Sequence, residues 1–398
     1  MRLVYSLTIG IWPQYHLTHK APSYMAIDCL ILGPAYPFRG GIADTNHAFA
    51  AALVNQNIKV EIWTFTALYP NVLFPGTSQF DANEQSFQFP IHRKIHAYNP
   101  FGWAAIAEEI NALKPKRVVF RYWTPLLAFA WGTIAKKLKP EINSIALIDN
   151  WKAHEPKPWD RSLNHYFSSK VNQITTLSEA VYLEIIADVN LPVNKGFHPI
   201  NDDLPPATSK AVARKKLGLS GEKPLVLFFG LVRQYKGLDL LIDAFAQDSL
   251  LNTTTELMIV GEFYDKTETY RKQIQALGLD KRICIVNEFV SFEVARDYFC
   301  AADIVAQPYK TATQSGVTPI AYHYEVPLVV TDLAGLSAPI RADETGRICE
   351  KNAVSIALAI DELLSTKAQT QVKANLKKAK KNYSWKAFVQ QWLSYTNK

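Results

Sequence analysis

The sequence predicts an α/β protein made of two doubly wound domains. Short, continuously apolar runs of the kind that form buried parallel strands recur along the chain, and stretches with helical spacing of apolar residues lie between them. A proline-rich stretch from Phe197 to Lys223 interrupts this alternation, which then begins again. With 398 residues, the chain is long enough for two domains that each bury a full core.

The first half of the chain opens with an apolar strand, a Gly-Gly loop and a helix. After the loop, Ile42, Phe49 and Leu53 share one helix face, and farther on Ser178 is placed to cap another helix. Residues 66–99 hold prolines and aromatics, and we expect loops and short strands there. The predicted strands are 27–32, 58–63, 117–121, 144–148 and 174–177, and the predicted helices include 101–113 and 126–138.

The second half repeats the alternation of strands and helices, which predicts a second parallel sheet. Ile356, Ile360 and Leu363 mark the face of a late helix, and the tail combines a basic run with an aromatic amphipathic helix. The predicted strands are 225–229, 257–260, 283–286, 304–307 and 328–331, and the predicted helices include 268–277, 292–301 and 317–325.

Changes in composition along the chain mark the predicted domain boundaries. Residues 1–24 hold a short apolar run that only weakly resembles a signal peptide, and Met25 directly precedes the first strand, so we expect an extension outside the fold. The prolines after Phe197 are typical of a linker. The predicted divisions are a first domain at 25–198, a linker at 199–222, a second domain at 223–380 and a final helix at 381–398.

Charge and cysteine content exclude several classes of function. The four cysteines show no C-x-x-C spacing, which argues against a zinc site or a disulfide framework and suits reduced thiols in a cytoplasmic protein. The net charge of +7 fits anionic substrates, an acidic membrane surface or mere solubility, and no nucleic-acid motif accompanies it. No apolar run approaches the ~18 residues of a membrane span.

The stretch from Leu225 to Phe245 carries the clearest functional signal. A buried strand ends at Gly230, a helix begins near Leu238, and Arg233 and Lys236 lie between them. Ligands of open α/β sheets bind outside the carboxyl ends of the strands, and two positive charges there suit a phosphate or pyrophosphate. The alternative is an ordinary loop with solvated basic side chains.

The Gly-Gly loop of the first half is a second candidate for binding an anion or a sugar. Gly40 and Gly41 precede a helix whose first backbone N–H groups lack partners within the helix. Their spacing is not the G-x-G-x-x-G of a dinucleotide fold, which argues against an NAD enzyme.

Taken together, the motifs resemble those of the GT-B glycosyltransferases of family 4, over about residues 27–395. The matching segments are GPAYPFRGGIA, FFGLVRQYKGLDLLIDAF, LMIVGE, FVSFEVARDYFCAADIVAQPY, QSGVTPIAYHYEVPLVVTDLAGL and the final YSW. The resemblance implies two Rossmann-like domains facing a central cleft, the first for the acceptor and the second for the donor, with the C-terminal helix packed back on the first domain. It also implies a retaining hexosyltransferase that uses a nucleotide sugar and a glycan or glycolipid hydroxyl. A catalytically silent nucleotide-sugar-binding protein and a nucleotide-sugar epimerase of the same fold are the alternatives.

The resemblance gives the two cations a role in holding the donor diphosphate. Lys236 matches the family lysine by its spacing from Gly230. The family arginine usually follows the glycine directly, where this chain has Leu231, so Arg233 is the expected substitute. Gly40 and Gly41 would lie near the donor phosphates. Cations placed there would stabilise the charge of the departing diphosphate.

This chain departs from the two glutamates, eight residues apart, that are typical of the family. The matching positions hold Thr313 and Ala321, or Ala312 and Ile320 if the alignment shifts by one. Ser315, Gly316, Val317 and Thr318 would still surround a helix N-terminus that can bind a diphosphate. Substitutes for the missing hydroxyl contacts are expected among Gln314, Ser315, Thr318 and Glu325.

The resemblance also points to a histidine that faces the donor sugar. Either His154 is this catalytic histidine, or Asp149 occupies its place after the strand that ends at Ile148. Glu155, Asp149 and Asn150 are the expected acceptor-binding residues, and Glu155 could orient the imidazole. His198 lies at the hinge and is expected either to line the cleft or to have a structural role.

Glu262, Glu288 and Phe289 follow strands of the second half, at the edge where relatives hold the nucleotide base. Capping and solvation are the alternative roles. No Asp-x-Asp occurs, so we expect no metal and no cofactor beyond a UDP- or GDP-sugar. We expect a cytoplasmic protein without a nucleic-acid partner. Its lysine-rich helices would allow peripheral contact with the inner face of the membrane if the acceptor is lipid-linked.

Overall fold

The structure is a computed structural model that describes residues 27–68, 79–81, 85–152, 157–201, 204–219 and 221–396. The expectations for residues 1–24, for His154 and for Glu155 therefore lie outside the described residues.

The first half of the chain forms a seven-stranded sheet in the order β3-β2-β1-β4-β5-β6-β7, and neighbouring strands pair in parallel. The strand order reverses between β1 and β4, which is where open α/β sheets bind ligands. The strands are β1 Cys29–Leu32, β2 Val60–Ala67, β3 Ile91–His96, β4 Arg117–Tyr122, β5 Asn143–Ile148, β6 Gln173–Thr176 and β7 Val193–Lys195.

The second half forms a six-stranded parallel sheet in the order β10-β9-β8-β11-β12-β13. Here the order reverses between β8 and β11. The strands are β8 Leu225–Phe229, β9 Glu256–Val260, β10 Ile283–Val286, β11 Ile304–Gln307, β12 Leu328–Thr331 and β13 Gly346–Cys349.

Helices connect the strands of both sheets, as parallel pairing requires. In the first half they are α1 Gly41–Val54, α2 Pro100–Leu113, α3 Ala128–Lys136, α4 Asp160–Ser168 and α5 Glu179–Ile186. After the linker they are α6 Lys210–Lys216, α7 Leu238–Ala244, α8 Asp248–Leu251, α9 Thr267–Ala276, α10 Phe292–Ala301, α11 Val317–His323, α12 Ala334–Asp343, α13 Ala353–Leu364, α14 Thr366–Ala379 and α15 Trp385–Thr396.

The predicted fold class of two doubly wound α/β units is confirmed, and the predicted strands lie within a few residues of the observed ones. The strand predicted at 58–63 was placed too early, because β2 continues to Ala67. The helix predicted at 126–138 begins as a 3-10 turn at Pro125 and continues as α3 only to Lys136. Ser178 caps α5 as predicted, since its Oγ accepts a hydrogen bond from Val181 N at 3.2 Å.

Three hydrophobic clusters form the core. One fills the second half around β8, β9 and β11, and the other two cover the opposite faces of the first sheet. The cluster on the α1 face includes side chains from α15, and Trp392 packs edge-on against Phe49 with ring centroids 5.1 Å apart. The last helix of the chain therefore packs on the first sheet and ties the two halves together.

Candidate functional site

The carboxyl ends of the two sheets face each other across a cleft. From the second half, Thr313 Oγ1 donates to Asn150 Oδ1 at 2.6 Å, and Gln314 Nε2 donates to Asp149 Oδ1 at 3.3 Å. Arg39, beside the Gly-Gly loop, lies 3.9 Å from a carboxylate oxygen of Glu262. The loops that the sequence analysis selected after β1, β5, β9 and β11 thus meet at one place.

Lys236 lies at the reversal point of the second sheet. Gly230 ends β8 with a φ of 98°, a conformation that favours glycine, and a Cβ added there would lie 3.2 Å from Lys236 Nζ. The lysine is 8% exposed, and its Nζ lies 5.4 Å from the centroid of the Tyr309 ring. Burial lowers the pKa of Lys236, and the nearby Arg233 lowers it further. Among the described residues, no carboxylate pairs with it.

Arg233 occupies the same turn but a different environment. Its side chain is exposed, and its guanidinium lies 4.7 Å from the centroid of the Tyr264 ring. The turn is closed by a hydrogen bond from Lys236 N to Arg233 O at 2.8 Å. The structure therefore brings the two predicted cations together, with the lysine at the floor of the cleft and the arginine at its mouth.

The start of α11 is partly satisfied by its own side chains. Val317 N, predicted to bind the donor diphosphate, donates to Ser315 Oγ at 3.2 Å in this structure. Ser315 Oγ also lies 3.3 Å from the hydroxyl of Tyr309, and the Thr318 hydroxyl lies 3.1 Å from the Gln307 side chain. These side-chain contacts fix the segment next to Lys236.

Thr313 and Ala321, one of the two pairs matched to the family glutamates, lie in different environments. Thr313 faces the cleft and contacts Asn150, whereas Ala321 is fully buried in the core. Glu325, considered as a substitute, instead forms an ion pair with Lys380 at the end of α14. Of the side chains considered as substitutes, Gln314, Ser315 and Thr318 remain close to the cleft.

Asp149 belongs to a buried ion pair that sequence reasoning missed. Arg121, at the end of β4, is fully buried, and its Nε and Nη2 each lie 2.6 Å from an Asp149 carboxylate oxygen. The same guanidinium contacts Thr45 Oγ1 at 3.1 Å and Asn46 Oδ1 at 3.4 Å. Asp149 was predicted to bind the acceptor, but its carboxylate is already committed to Arg121 and Gln314. The available signal was an arginine that directly follows the apolar run Val118–Phe120 within a strand.

The Gly-Gly loop forms the start of α1. Gly40 has a φ of 113°, and a Cβ added at Gly40 or Gly41 would meet nothing within 4 Å. In the first turn of α1, burial and the charge of Asp81 raise the pKa of Asp44 to about 6. The loop is therefore open on its outer side and has a carboxylate beside it.

The residues predicted to bind the nucleotide base differ in how exposed they are and in whether another side chain already contacts them. Glu262 is engaged by Arg39, whose guanidinium also lies 5.2 Å from the centroid of the Phe289 ring. Glu288 is exposed, and Phe289 is 59% exposed. An aromatic face at this edge can stack on a base, and Arg39 brings the first half of the chain into contact with it.

Known glycosyltransferases are similar to this chain in sequence. The family model Glycosyl transferases group 1 matches residues 223–366. An uncharacterised glycosyltransferase of Methanocaldococcus jannaschii is 24% identical over 201 residues, 48% of this chain and 51% of that protein. A lipopolysaccharide core biosynthesis mannosyltransferase, LpsB of Rhizobium meliloti, is 29% identical over 150 residues, 36% of this chain and 42% of that protein. The matches thus span about half or less of the length of these curated relatives.

Solved structures match over nearly the whole chain. Sucrose-phosphate synthase from Thermosynechococcus elongatus has a TM-score of 0.75 at 17% identity, and the match covers 93% of this chain and 98% of that one. The Anabaena protein HepE, in complex with UDP and glucose, has a TM-score of 0.71 at 16% identity, with 93% and 99% covered. The two facing α/β units define a GT-B protein. The chain therefore has the GT-B fold, and its second half resembles the group 1 glycosyltransferases, in agreement with the predicted resemblance.

Two further features of the described residues bear on cofactors and membranes. In the ranges given above, no three histidine, cysteine, aspartate or glutamate side chains gather in a way that could hold a metal ion. Within those same ranges, every helix is too short or too polar to cross a membrane.

Proposed function

We propose that this protein transfers a sugar from a nucleoside-diphosphate sugar to a hydroxyl group of a glycan or glycolipid, with retention of configuration at the anomeric carbon. The GT-B fold and the group 1 match of residues 223–366 support a transferase of this kind. The names of the curated relatives, which include several D-inositol 3-phosphate glycosyltransferases, are consistent with a hydroxyl acceptor.

The observation that carries the proposal is the environment of Lys236. A buried ammonium group is costly unless an anion accompanies it, and the described residues offer this one no carboxylate. It lies where β8 and β11 diverge, beside Gly230, whose missing side chain leaves room for a ligand. A diphosphate placed there would supply the absent negative charge, and Arg233 could reach it from the mouth of the cleft.

The proposed donor is a UDP- or GDP-sugar. The neighbour HepE has been solved with UDP-glucose, which supports a uridine nucleotide as the first candidate. The base would lie at the ends of β9 and β10, near Glu288 and Phe289. No metal is needed in this scheme, because Lys236 and Arg233 would neutralise the phosphates.

The acceptor would enter from the first half of the chain. Gly40 and Gly41 give an open backbone surface there, and Asn150 lies opposite Thr313. His154 and Glu155 remain proposals for this side of the site. A lipid-linked acceptor would place the enzyme at the cytoplasmic face of a membrane, in peripheral contact with it.

The proposed chemistry relies on position and charge. As the bond between the sugar and the diphosphate breaks, negative charge grows on the leaving group, and Lys236 stabilises it. The departing diphosphate takes the proton of the acceptor hydroxyl, so no protein base is required at nucleophile distance. Closure of the cleft would exclude water from this step.

The second candidate is a nucleotide-sugar-binding protein without transferase activity. The residues at the family's glutamate positions, Thr313 and Ala321, favour it, because neither carries a carboxylate. The contacts of Thr313 and Gln314 with the opposite half also favour it, because they occupy groups that could otherwise bind a substrate.

A binding screen followed by a turnover assay separates the two candidates. The purified protein is titrated with UDP-, GDP- and ADP-sugars while its unfolding temperature is followed, and any sugar that stabilises it is tested for hydrolysis and for transfer to glycan and glycolipid acceptors. Transfer with retention supports the proposal. Binding without turnover on every acceptor supports the silent protein, and the absence of any nucleotide binding contradicts both.

A further inference from the structure

A cluster of charged and aromatic side chains lies at the mouth of the cleft, around the place proposed for the nucleotide base. Arg233 lies over Tyr264 of the same half, with 4.7 Å between the guanidinium carbon and the ring centroid. Arg39 comes from the other half, and its guanidinium carbon lies 5.2 Å from the centroid of the Phe289 ring. Its Nη2 lies 3.9 Å from a carboxylate oxygen of Glu262. Each of the two arginines thus faces an aromatic ring, and the contacts of Arg39 span the cleft.

Backbone hydrogen bonds hold the second-half side of this cluster in place. Val232 N donates to Glu262 O at 2.9 Å, and Tyr264 N donates to Val232 O at 3.0 Å, so the loops after β8 and β9 are joined. Phe263 N donates to Asn287 Oδ1 at 3.0 Å, which ties the loop after β9 to the loop after β10. The three loops therefore form one connected platform on the second half.

Arg39, in contrast, is anchored to the first half. It directly precedes Gly40 at the start of α1, and its backbone N–H donates to Gln79 O at 3.0 Å. Its contacts with Phe289 and Glu262 therefore depend on how close the two halves are. Because Arg39 reaches the ring from the first half, the side of Phe289 that it covers is the side turned toward the cleft.

The guanidinium of Arg39 takes the space that a stacked base needs. Stacked aromatic rings have centroids about 4.5–7 Å apart, and the guanidinium carbon lies within that range of the Phe289 ring. The ring is still 59% exposed, so an incoming ligand can reach it. The contacts of Arg39 are also weak enough to be displaced, because a partly exposed ion pair or an exposed cation–π contact changes an equilibrium by at most about fivefold.

We propose that Arg39 is an autoinhibitory gate: in the ligand-free protein it occupies the cleft-facing side of Phe289, and a nucleotide base must displace it to bind. This inference rests on the proposed function, since it assumes a nucleotide with its base at the ends of β9 and β10. The apparent affinity for a nucleotide is then reduced in proportion to the fraction of molecules in which the ring is uncovered. A phosphate ligand without a base does not compete with Arg39.

The test compares nucleotides with a ligand that has no base. Dissociation constants for UDP, GDP and inorganic pyrophosphate are measured by calorimetry on the full chain and on Arg39→Ala. The variant is expected to bind UDP and GDP about three- to tenfold more tightly, because both contacts of the guanidinium are lost. Its affinity for pyrophosphate should stay within about twofold of the wild type. Arg271→Ala, on the exposed face of α9, removes the same charge elsewhere and is the matched control.

A double-mutant cycle tests whether the effect depends on the ring. Phe289→Leu removes the aromatic face and is expected to weaken UDP and GDP binding by roughly fivefold or more, the value of one stacked base. In the Phe289→Leu background, Arg39→Ala should lose most of its gain in nucleotide affinity, because the face that Arg39 covers no longer exists.

Tighter binding that is confined to UDP and GDP and lost in Phe289→Leu supports the gate. Unchanged or weaker nucleotide binding by Arg39→Ala would overturn it, because Arg39 would then be neutral or would itself contact the nucleotide. An equal gain for pyrophosphate, or a gain that persists fully without the ring, would also overturn it by tracing the effect to cleft opening alone. Failure of both the wild type and Arg39→Ala to bind any nucleotide would defeat the proposed function, and this inference with it.

Discussion

At the scale of single residues, Lys236 shows how burial and function are connected. Its ammonium group lies on the floor of the cleft, and burial lowers its pKa, so its charged form is disfavoured by the protein alone. A diphosphate bound as proposed would reverse that balance by supplying the missing negative charge. The ammonium group, unfavourable in the free protein, would then be favourable in the proposed complex.

The first prediction is that Lys236→Ala reduces kcat/KM for sugar transfer by roughly 100-fold or more, the effect of removing one preorganised charge partner. The fold should remain intact, because the variant removes a buried charge without a carboxylate partner in the described structure. Steady-state kinetics and urea unfolding measure both effects. Lys272→Ala, on the exposed face of α9, is the control, and a Lys236→Ala enzyme with wild-type kcat/KM would reject the assignment.

The lowered pKa of Lys236 also predicts a pH dependence. Nucleoside-diphosphate affinity should fall as the pH rises through the folded-state pKa, which lies below the ordinary 10.5. The free energy of unfolding should instead rise with pH between the folded-state pKa and the ordinary value. Over that window the unfolded chain binds the Lys236 proton more tightly than the folded chain does. Calorimetric titrations across alkaline pH measure the affinity. Lys236→Arg remains charged throughout, so a decline that persists unchanged in this variant would assign it to another group.

Two titrating residues of α1 predict a second pH effect. Burial raises the pKa of Asp44 from 3.8 to about 6 and lowers that of His47 from 6.5 to about 4. Between pH 4 and 6, the folded state binds more protons at Asp44 than the unfolded state, so this residue makes stability fall as the pH rises. At His47 the folded state binds fewer protons, so this residue makes stability rise with pH. The two effects oppose each other. Asp44→Asn should leave stability rising with pH across this range.

The matched variant for this pair is His47→Gln, which should leave stability falling with pH over the same range. Its amide oxygen can still accept the hydrogen bond that His47 Nε2 takes from Tyr36 N at 2.9 Å. Urea unfolding at several pH values between 4 and 7 measures both slopes. Parallel curves for the two variants would show that neither residue titrates as described.

At the scale of elements, the central strands could be predicted from the sequence, but two short edge strands could not. Runs such as Leu225–Phe229 and Ile304–Gln307 are continuously apolar because helices cover both faces of a parallel sheet, and sequence reasoning found them. The edge strands β7 and β13 escaped it, because Val193–Lys195 has only three residues and Gly346–Cys349 contains Gly and Arg. The helix α12 escaped it because Pro339 interrupts its pattern.

The site was predictable to the level of loops but not of contacts. The residues between Gly230 and Lys236 follow a clear strand, so their place at the sheet edge could be inferred. The Arg121–Asp149 pair joins β4 to the residue that follows β5, 28 residues farther along the sequence, and no local pattern encodes which partner a buried arginine takes. Likewise, the bond from Val317 N to Ser315 Oγ depends on a loop conformation that the sequence does not specify.

The helix α15 predicts a large stability effect far from the cleft. Trp392 is fully buried and packs edge-on against Phe49 of α1. Truncation of such a side chain typically costs about 3–5 kcal/mol, because the cavity does not fully collapse. Trp392→Ala should lower the free energy of urea unfolding by that amount, whereas the exposed Lys386→Ala should change it by less than about 0.5 kcal/mol. Equal effects of the two variants would show that α15 does not dock as described.

At the scale of the whole molecule, side chains of the described residues join the two halves across the cleft. These contacts include Thr313 with Asn150, Gln314 with Asp149, and Arg39 with Glu262 and Phe289. The first two involve the segment where the resemblance places the first family glutamate. Thr313 and Gln314 therefore bear on the relative position of the two halves.

The final prediction concerns this closed arrangement. Thr313→Val keeps the shape of the side chain but removes the hydroxyl that donates to Asn150, and Arg39→Gln removes the charge that faces Glu262. The double variant should populate more open conformations, because the Thr313 hydrogen bond contributes about 0.5–1.5 kcal/mol to closure and the partly exposed ion pair about 0–1 kcal/mol. Small-angle X-ray scattering should then give a larger radius of gyration for the ligand-free variant than for the wild type. Thr370→Val, on the exposed face of α14, is the control. A bound nucleoside diphosphate should favour closure and so reduce the difference in radius of gyration between the variant and the wild type. An unchanged radius of gyration in the ligand-free double variant would show that these contacts do not hold the halves together.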